Sequence, residues 1–321
     1  MSRSSRIKRR QAWFDAGVVD LAATFGSLTT TAGAPVPPAY ACPLCAVTES
    51  DGRARLKLFP VSSLGSLLTV EDVPPKHSGG RPLVLTCRAC NSTAGHKIDA
   101  AAHRVERSIR TLAGQEPTRG WLHVGDDELP AEIDTTVAGT NRITMLGGHP
   151  AALGRMAAYF EGLTRTPTTA DPFRLSFSLT DPNDKIAKVS WLKSAYLALF
   201  ALFGYRYAMQ AFLGSVRHQI QNPDKEHLGP FSLRLPQPLP FSECRVFWIA
   251  TPELPVCWGV QMGPILVFLP HGDPNALYGR LAELKAQGAS FEFKAENSVW
   301  PLAPMFAMAE KVVRRAKIEA T

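Results

Sequence analysis

Cys42-Pro43-Leu44-Cys45 and Cys87-Arg88-Ala89-Cys90 are two C-x-x-C pairs separated by 41 residues, and their reading decides the fold of the first third of the chain. Each pair presents two thiolates from one tight turn, and two such turns complete the tetrahedral four-sulfur shell that zinc favours in closed, structural sites. The spacing therefore predicts one structural zinc ion on Cys42, Cys45, Cys87 and Cys90. Two buried pairs of free thiols would not need the same spacing twice, and a redox C-x-x-C is expected in a thioredoxin-like strand-to-helix context that the sequence around neither pair suggests. Zinc binding contributes roughly 10–16 kcal/mol in small peptides at neutral pH, so the segment around the cysteines is expected to unfold on chelation. Cys244 and Cys257 stand in apolar, strand-like runs without ligand spacing and read as core residues.

Between and after the pairs stand Glu71-Asp72-Val73-Pro74-Pro75-Lys76-His77-Ser78-Gly79-Gly80 and Asn91-Ser92-Thr93-Ala94-Gly95-His96-Lys97-Ile98-Asp99. Together with the cysteines these segments resemble the HNH endonuclease superfamily, in particular its zinc-stapled members. The family pattern runs Glu-His, a proline-containing turn, Gly-Gly, then C-x-x-C-Asn, Gly and a final Asp. The resemblance spans about 60 residues, from Cys42 to Asp99. It implies a ββα-metal unit, in which a hairpin delivers the general base and one metal ligand and a helix delivers the rest. It also implies a second divalent cation, magnesium or manganese, that stabilises the scissile phosphate of DNA while a histidine activates water. On this pattern Glu71 falls at the acidic position beside the base, Asn91 follows the second cysteine pair, and Asp99 is the acidic end of the motif. His96 is close enough to serve as an additional ligand.

The departure from the pattern is Asp72, which stands where the family has its catalytic histidine. A histidine with a pKa of about 6.5 suits proton abstraction at neutral pH, whereas an unperturbed aspartate at about 3.9 is ionised but weakly basic. Losing a tuned base costs about 10²–10⁴ in rate. Three readings stay open. Asp72 binds metal and a metal-bound hydroxide attacks; His77 swings in as the base; or the site is degenerate and only binds. The expectation is an HNH-like metal-dependent endonuclease acting on DNA, with restriction or phage defence implied by the family alone. The alternative is a catalytically degenerate zinc module that binds nucleic acid or a protein partner. The candidate catalytic set is Glu71, Asp72, His77, Asn91, His96 and Asp99. Its expected signature is convergence of Glu71, Asp72, Asn91 and either His96 or Asp99 around one ion-sized space distinct from the thiolates.

Outward from this core, residues 1–38 read as a basic tail, an amphipathic helix over Gln11–Leu28 and a Thr-, Gly- and Pro-rich linker ending in Val36-Pro37-Pro38. The zinc-bound HNH-like module is drawn at 39–112, ending in a helix marked by Ile98, Ala102, Val105 and Ile109. Residues 113–321 form a larger α+β domain of unassigned role. Strands are expected at Trp121–Val124, Thr135–Met145, Phe173–Leu179 and Phe291–Phe293, and helices at Pro150–Leu163, Asn275–Gln287 and from Pro304 onward. A long helix is expected from Val189 to about Gln221, with Gly204 and Gly214 as interruptions. Arg245–Ala250, Val256–Met262 and Ile265–Leu269 read as antiparallel strands separated by prolines and glycines. The fold class is α+β, a small zinc-stapled ββα module followed by a larger mixed domain. No phosphate-cradling glycine loop or nucleophile elbow suggests an unrelated enzyme in the larger part.

The net charge of +7 is unevenly spread. Residues 1–110 hold 15 Lys and Arg against 8 Asp and Glu, while 111–321 hold 20 against 20. A local basic excess suits a surface that meets nucleic acid phosphates. The run Arg3, Arg6, Lys8, Arg9 and Arg10 contributes to it, although such a run is more often a solvated terminus than a reader of DNA. Lone His103, His123 and His218 read as surface or core histidines. Trp191, Tyr196, Phe200, Phe203, Tyr205 and Tyr207 read as core aromatics on a helix rather than a base-stacking platform, although Arg206 and Arg217 on the same stretch could face a phosphate. The apolar window Ala195–Phe203 is shorter than the roughly 20 residues a membrane span needs. Four cysteines in ligand spacing and no signal-like start point to the cytoplasm.

Overall fold

A computed structural model describes residues 3–26, 28, 34–48, 54–113, 115–124, 127–135, 141–165, 176–178, 184–235, 239–288 and 298–306. The first helix, α1 (Arg3–Phe25), takes in the basic run that the sequence suggested as a free tail. Arg and Lys are good helix formers, and the Arg9 guanidinium lies 5.1 Å over the Trp13 ring, both compatible with a helix through the basic run. Trp13, Phe14 and Leu21 form its buried stripe.

A ribbon follows. Strands β1 (Ala39–Ala41) and β4 (Leu58–Pro60) pair antiparallel, as do β2 (Val47–Thr48) and β3 (Ala54–Arg55) inside them, and the Cys42–Cys45 turn interrupts the first arm. A second hairpin joins β5 (Leu68–Val73) to β6 (Arg81–Cys87), with a register shift between Glu71 and Asp72. It runs directly into α2 (Arg88–Ala94), a π-helical turn at Gly95–Asp99 and α3 (Ala100–Leu112). The hairpin turn is tight enough to need glycine. Gly79 has φ +78°, and a Cβ on Gly80 would lie 1.5 Å from the Pro74 carbonyl oxygen. Gly80→Ala is therefore expected to cost upwards of about 2–3 kcal/mol in urea unfolding, because backbone and not a movable side chain stands in the way.

Next come β7 (Thr118–Val124), β8 (Asp127–Thr135), β9 (Asn141–Met145), α4 (Pro150–Arg165) and β10 (Ser176–Ser178). They form an antiparallel sheet in the order β10-β7-β8-β9. The expected strand at Thr135–Met145 resolves into the end of β8 and all of β9, with 136–140 outside the described residues. Phe173–Leu179 is described only at Ser176–Ser178, where it is a strand.

The long helix expected after Val189 starts earlier and breaks where the glycines suggested. It forms α5 (Asp184–Phe203), α6 (Tyr205–Ala208) and α7 (Gly214–Gln221). Gly204, at φ +69°, makes the first break. The Asp20 carboxylate of α1 accepts the Tyr205 N–H at 2.7 Å and would collide with any Cβ on Gly204, so the same contact caps α6 and seats α1. Counted whole, α5 is long and apolar enough to cross a membrane by length and composition, unlike the shorter window noted above, yet 89% of that stretch is buried inside the protein. It is apolar on nearly every side because it is a core helix.

The remaining strands β11 (Ser232–Arg234), β12 (Cys244–Thr251), β13 (Leu254–Met262) and β14 (Ile265–Pro270) form an antiparallel sheet in the order β11-β14-β13-β12, with α8 (Pro274–Ala286) beside β13 and β14. Trp258 on β13 meets Phe203 at 4.8 Å between ring centroids, joining this sheet to the end of α5. The expected strand Phe291–Phe293 and nearly all of the helix expected from Pro304 fall outside the described residues, and 304–306 are not helical.

The whole is a mixed α+β fold. Its compact units do not follow the sequence-drawn boundaries at 38 and 112. One comprises residues 1–100 and 185–321, the other 101–184. The second unit has its own core of Leu122, Leu129, Ala131 and Met156. In the first, α1 packs on β1, β6 and α6, so the cysteine-bearing segment shares its core with the C-terminal helices.

Candidate functional site

Two clusters draw residues from the segments that flank α2. The first is the sulfur cluster. Ligand atoms of Cys42, Cys45, Cys87 and Cys90 all fall within 4.8 Å of one another, with Cys45 Sγ 3.3 Å from Cys87 Sγ and 3.4 Å from Cys90 Sγ. A tetrahedron with metal–sulfur bonds of about 2.3 Å has edges of about 3.8 Å, so the four thiols can hold one metal ion after small adjustments. The sulfurs already receive backbone donors: Cys87 N–H points to Cys42 Sγ at 3.2 Å and Cys90 N–H to Cys87 Sγ at 3.4 Å, which also caps α2. Hydrogen bonds from Cys42, Cys45 and Cys90 hold the Cys87 thiol far below its usual range, while burial pushes Cys42 up.

The carbonyls of the first cysteine turn are held from a distance in sequence. Tyr205 Oη donates to Ala41 O at 2.5 Å, Tyr196 Oη to Pro43 O at 3.1 Å, and Gln221 Nε2 to Leu44 O at 2.7 Å and Ala46 O at 3.3 Å. Three residues of α5, α6 and α7 thus clamp the backbone that carries Cys42 and Cys45. Such partners orient metal ligands and are as much part of a site as the ligands themselves.

The second cluster is ionic and buried. Lys193 of α5, fully buried, places its Nζ 2.6 Å from Glu71 Oε1 and 2.8 Å from Asp99 Oδ2. The remaining oxygens are also taken: Thr86 Oγ1 donates to Glu71 Oε2 at 3.2 Å, and Ser190 Oγ to Asp99 Oδ1 at 2.5 Å. Every carboxylate oxygen of the pair has a protein donor. Burial pushes the Glu71 carboxyl up against the opposing pull of Lys193, and the two carboxylates lift Lys193 above its ordinary range despite its own burial. The ammonium therefore stays charged. Asp99, the last residue of the π-helical turn at Gly95–Asp99, reaches this cluster from there.

The convergence anticipated from the sequence is thus partial. Glu71 and Asp99 meet, but around a lysine side chain. Asn91 is turned to the hairpin, where its Nδ2 donates to Thr69 Oγ1 at 3.0 Å and Val70 O at 3.1 Å, fastening α2 to β5. His96 is exposed. Asp72 is half-buried just past the register shift, its pKa raised by burial against the pull of Lys76, Arg9 and Lys193. His77 lies in the short turn Lys76–Ser78, with its Nε2 shielded from solvent.

Lys193 was the residue passed over, and a signal for it existed. Ser190, Lys193 and Ser194 lie at i, i+3 and i+4 on one face of a helix whose residues from Val189 to Phe203 are all buried. A cation inside so apolar a helix needs an anionic partner. The aromatic residues from Trp191 to Tyr207 are core, as read. Arg217 is buried and donates to the Ala208 and Gln210 carbonyls, so it does not face a phosphate. Cys257 is buried, its thiol pushed up to about 12.

Comparison with protein-family models, with curated proteins and with solved structures finds no match to the chain.

Proposed function

We propose that the chain is an HNH-like, zinc-stapled DNA-binding protein in which the Lys193 ammonium fills the position of the second divalent cation, so that binding persists without hydrolysis through Glu71 and Asp99. The observation that carries this reading is the contact of Lys193 Nζ with both carboxylates, at 2.6 and 2.8 Å. A divalent ion such as magnesium binds carboxylate oxygens at about 2.0–2.1 Å and needs oxygens free to ligate. The ammonium would have to leave before such an ion entered.

Support for the HNH-like scaffold is the order hairpin, cysteine pair, helix, with Asn91 tying helix to hairpin. Support for zinc is the double C-x-x-C spacing and the sulfur separations. Four cysteines in metal-ligand spacing suit a reducing compartment, which favours the cytoplasm. Support for DNA is the basic excess in residues 1–110 together with exposed Lys76 and Arg81 on the hairpin, Arg88 and Lys97 on the helix that follows, and Arg6 and Lys8 on α1.

One observation favours retained hydrolysis. Asp72, raised by burial, is a better base than a solvated aspartate, and it stands outside the saturated Glu71–Lys193–Asp99 cluster. The two readings separate in one experiment on the full chain, with DNA binding followed over a salt series and nicking of supercoiled plasmid assayed with magnesium, manganese or nickel. Expected are salt-dependent binding that weakens when Lys76, Arg81 and Lys97 are changed to Glu, and no nicking with any metal. Nicking that disappears in Asp72→Ala would establish the endonuclease instead, and salt-independent or absent binding would remove DNA as the partner.

A further inference from the structure

Apart from both clusters, the first compact unit holds a cavity of about 610 Å³ between the start of α5, the loop after α7 and the end of α8. That volume lies within the range of about 300–1,000 Å³ usual for small-molecule sites. Its charged lining is Lys185, Lys188, Lys225 and Lys285 against Asp224 and Glu226, four cations to two anions. One of the anions is already engaged, since Lys185 Nζ lies 3.4 Å from Glu226 Oε2, and with both partners more than two-thirds exposed that pair constrains little. Beneath the charges, Val189, Leu228 and Phe231 are buried and give the cavity an apolar floor.

The wall is built rather than draped. Gln219, almost fully buried, accepts the His227 and Leu228 N–H groups at 2.8 and 3.2 Å and donates to the Asn222 and Lys225 carbonyls at 3.4 and 2.6 Å. One saturated amide therefore fixes the loop that carries Asp224, Lys225 and Glu226. A Cβ on Gly229 would meet the Tyr278 carbonyl oxygen at 3.3 Å, so this loop passes close over α8.

The charge placement runs against local preference. Lys185 and Lys188 sit at the N-terminal end of α5, where the helix dipole is positive and cations are disfavoured, with Asp184 the one acidic residue of the first turn among the described residues. An anion seated between these lysines, facing a cavity with surplus positive charge, would offset that local excess. Lysine is a point-charge partner for phosphate, and the apolar floor accommodates a ring.

We infer that this cavity binds a small phosphorylated ring compound carrying at least two negative charges, of the class of a nucleoside diphosphate. The test uses ADP as probe with the full zinc-loaded chain, in calorimetric titration. Saturable binding of one ADP per chain is expected, weakened at least about tenfold in Lys188→Ala/Lys285→Ala and unchanged in Arg119→Ala, an exposed cation outside the cavity. Adenosine alone and pyrophosphate alone are expected to bind more weakly than ADP, since each presents half of the recognised groups. Matching thermal unfolding of the variants without probe shows that they are folded. No saturable ADP binding, or equal binding in the double variant, overturns the inference. Pyrophosphate binding as tightly as ADP overturns the ring. A DNA oligonucleotide that displaces ADP and depends on the same lysines assigns the phosphate recognition to a nucleic acid backbone, and overturns the free small molecule.

Discussion

Lys193→Met is expected to lose about 3–5 kcal/mol of unfolding free energy, because it leaves Glu71 and Asp99 facing each other inside the protein without their shared cation. The sulfur cluster is untouched by this change, so metal content at the cysteines should be retained. The loss should also depend on pH in a direction fixed by Glu71. Its carboxyl is raised by burial above the ordinary 4.5, and without Lys193 to oppose the burial it rises further. A group whose folded pKa is raised contributes stability that is full below its unfolded pKa and is lost as pH rises through the folded value. The deficit of Lys193→Met relative to the parent should therefore be smallest near pH 5 and grow toward pH 8, as measured by urea unfolding at each pH. Glu71→Gln added to Lys193→Met should weaken that dependence by removing one of the two carboxylates left in the site. A deficit independent of pH would mean that Lys193 matters for packing, not for charge.

Stripping the metal from the cysteines is the second large effect. Structural zinc contributes roughly 10–16 kcal/mol in small peptides. In this chain the loss should not stay within residues 39–112. Tyr196, Tyr205 and Gln221 bind the carbonyls at Ala41, Pro43, Leu44 and Ala46, so unfolding the cysteine turn removes these bonds and takes from the buried Tyr205 hydroxyl its partners at Ala41. Amide exchange after chelation, or in Cys90→Ser, is expected to show protection falling in α5 and α7 together with β5, β6 and α2. Protection lost from residues 39–112 alone would show that the clamp does not couple the two. Gln221→Ala should speed zinc release to a chelator while leaving the four ligands in place, an effect of about 10–100-fold if Gln221 orients the turn.

How much of this was legible beforehand follows from the range over which each feature is determined. The cysteine pairs are local: their spacing alone specifies four sulfurs on one centre, and the sulfurs do gather. The hairpin and helix between Leu68 and Ala94 entered only through the family resemblance, not through a local pattern, although Gly79 and Gly80 do make the hairpin turn. Elements of the C-terminal half were readable from periodicity, including the break at Gly204. What escaped was everything made by distant pairing. Lys193 lies 122 residues from Glu71 and 94 from Asp99, and a motif read within 60 residues gives no hint of a cation arriving from elsewhere. The polar face of α5 carried that information in a different form, as a charge that burial would make untenable alone. The grouping of residues 1–100 with 185–321 escaped for the same reason, since the clamp on the cysteine turn is formed across more than 150 residues.

The central claim is that the cation between Glu71 and Asp99 is an ammonium and not a metal. Its most direct test is metal content by mass spectrometry after equilibration with excess manganese and gel filtration, for the parent chain and for Asp99→Asn. One zinc per chain and no retained manganese in either protein is the predicted result. A second metal ion held by the parent and lost in Asp99→Asn would contradict the account, since Lys193 would then yield its place to the ion.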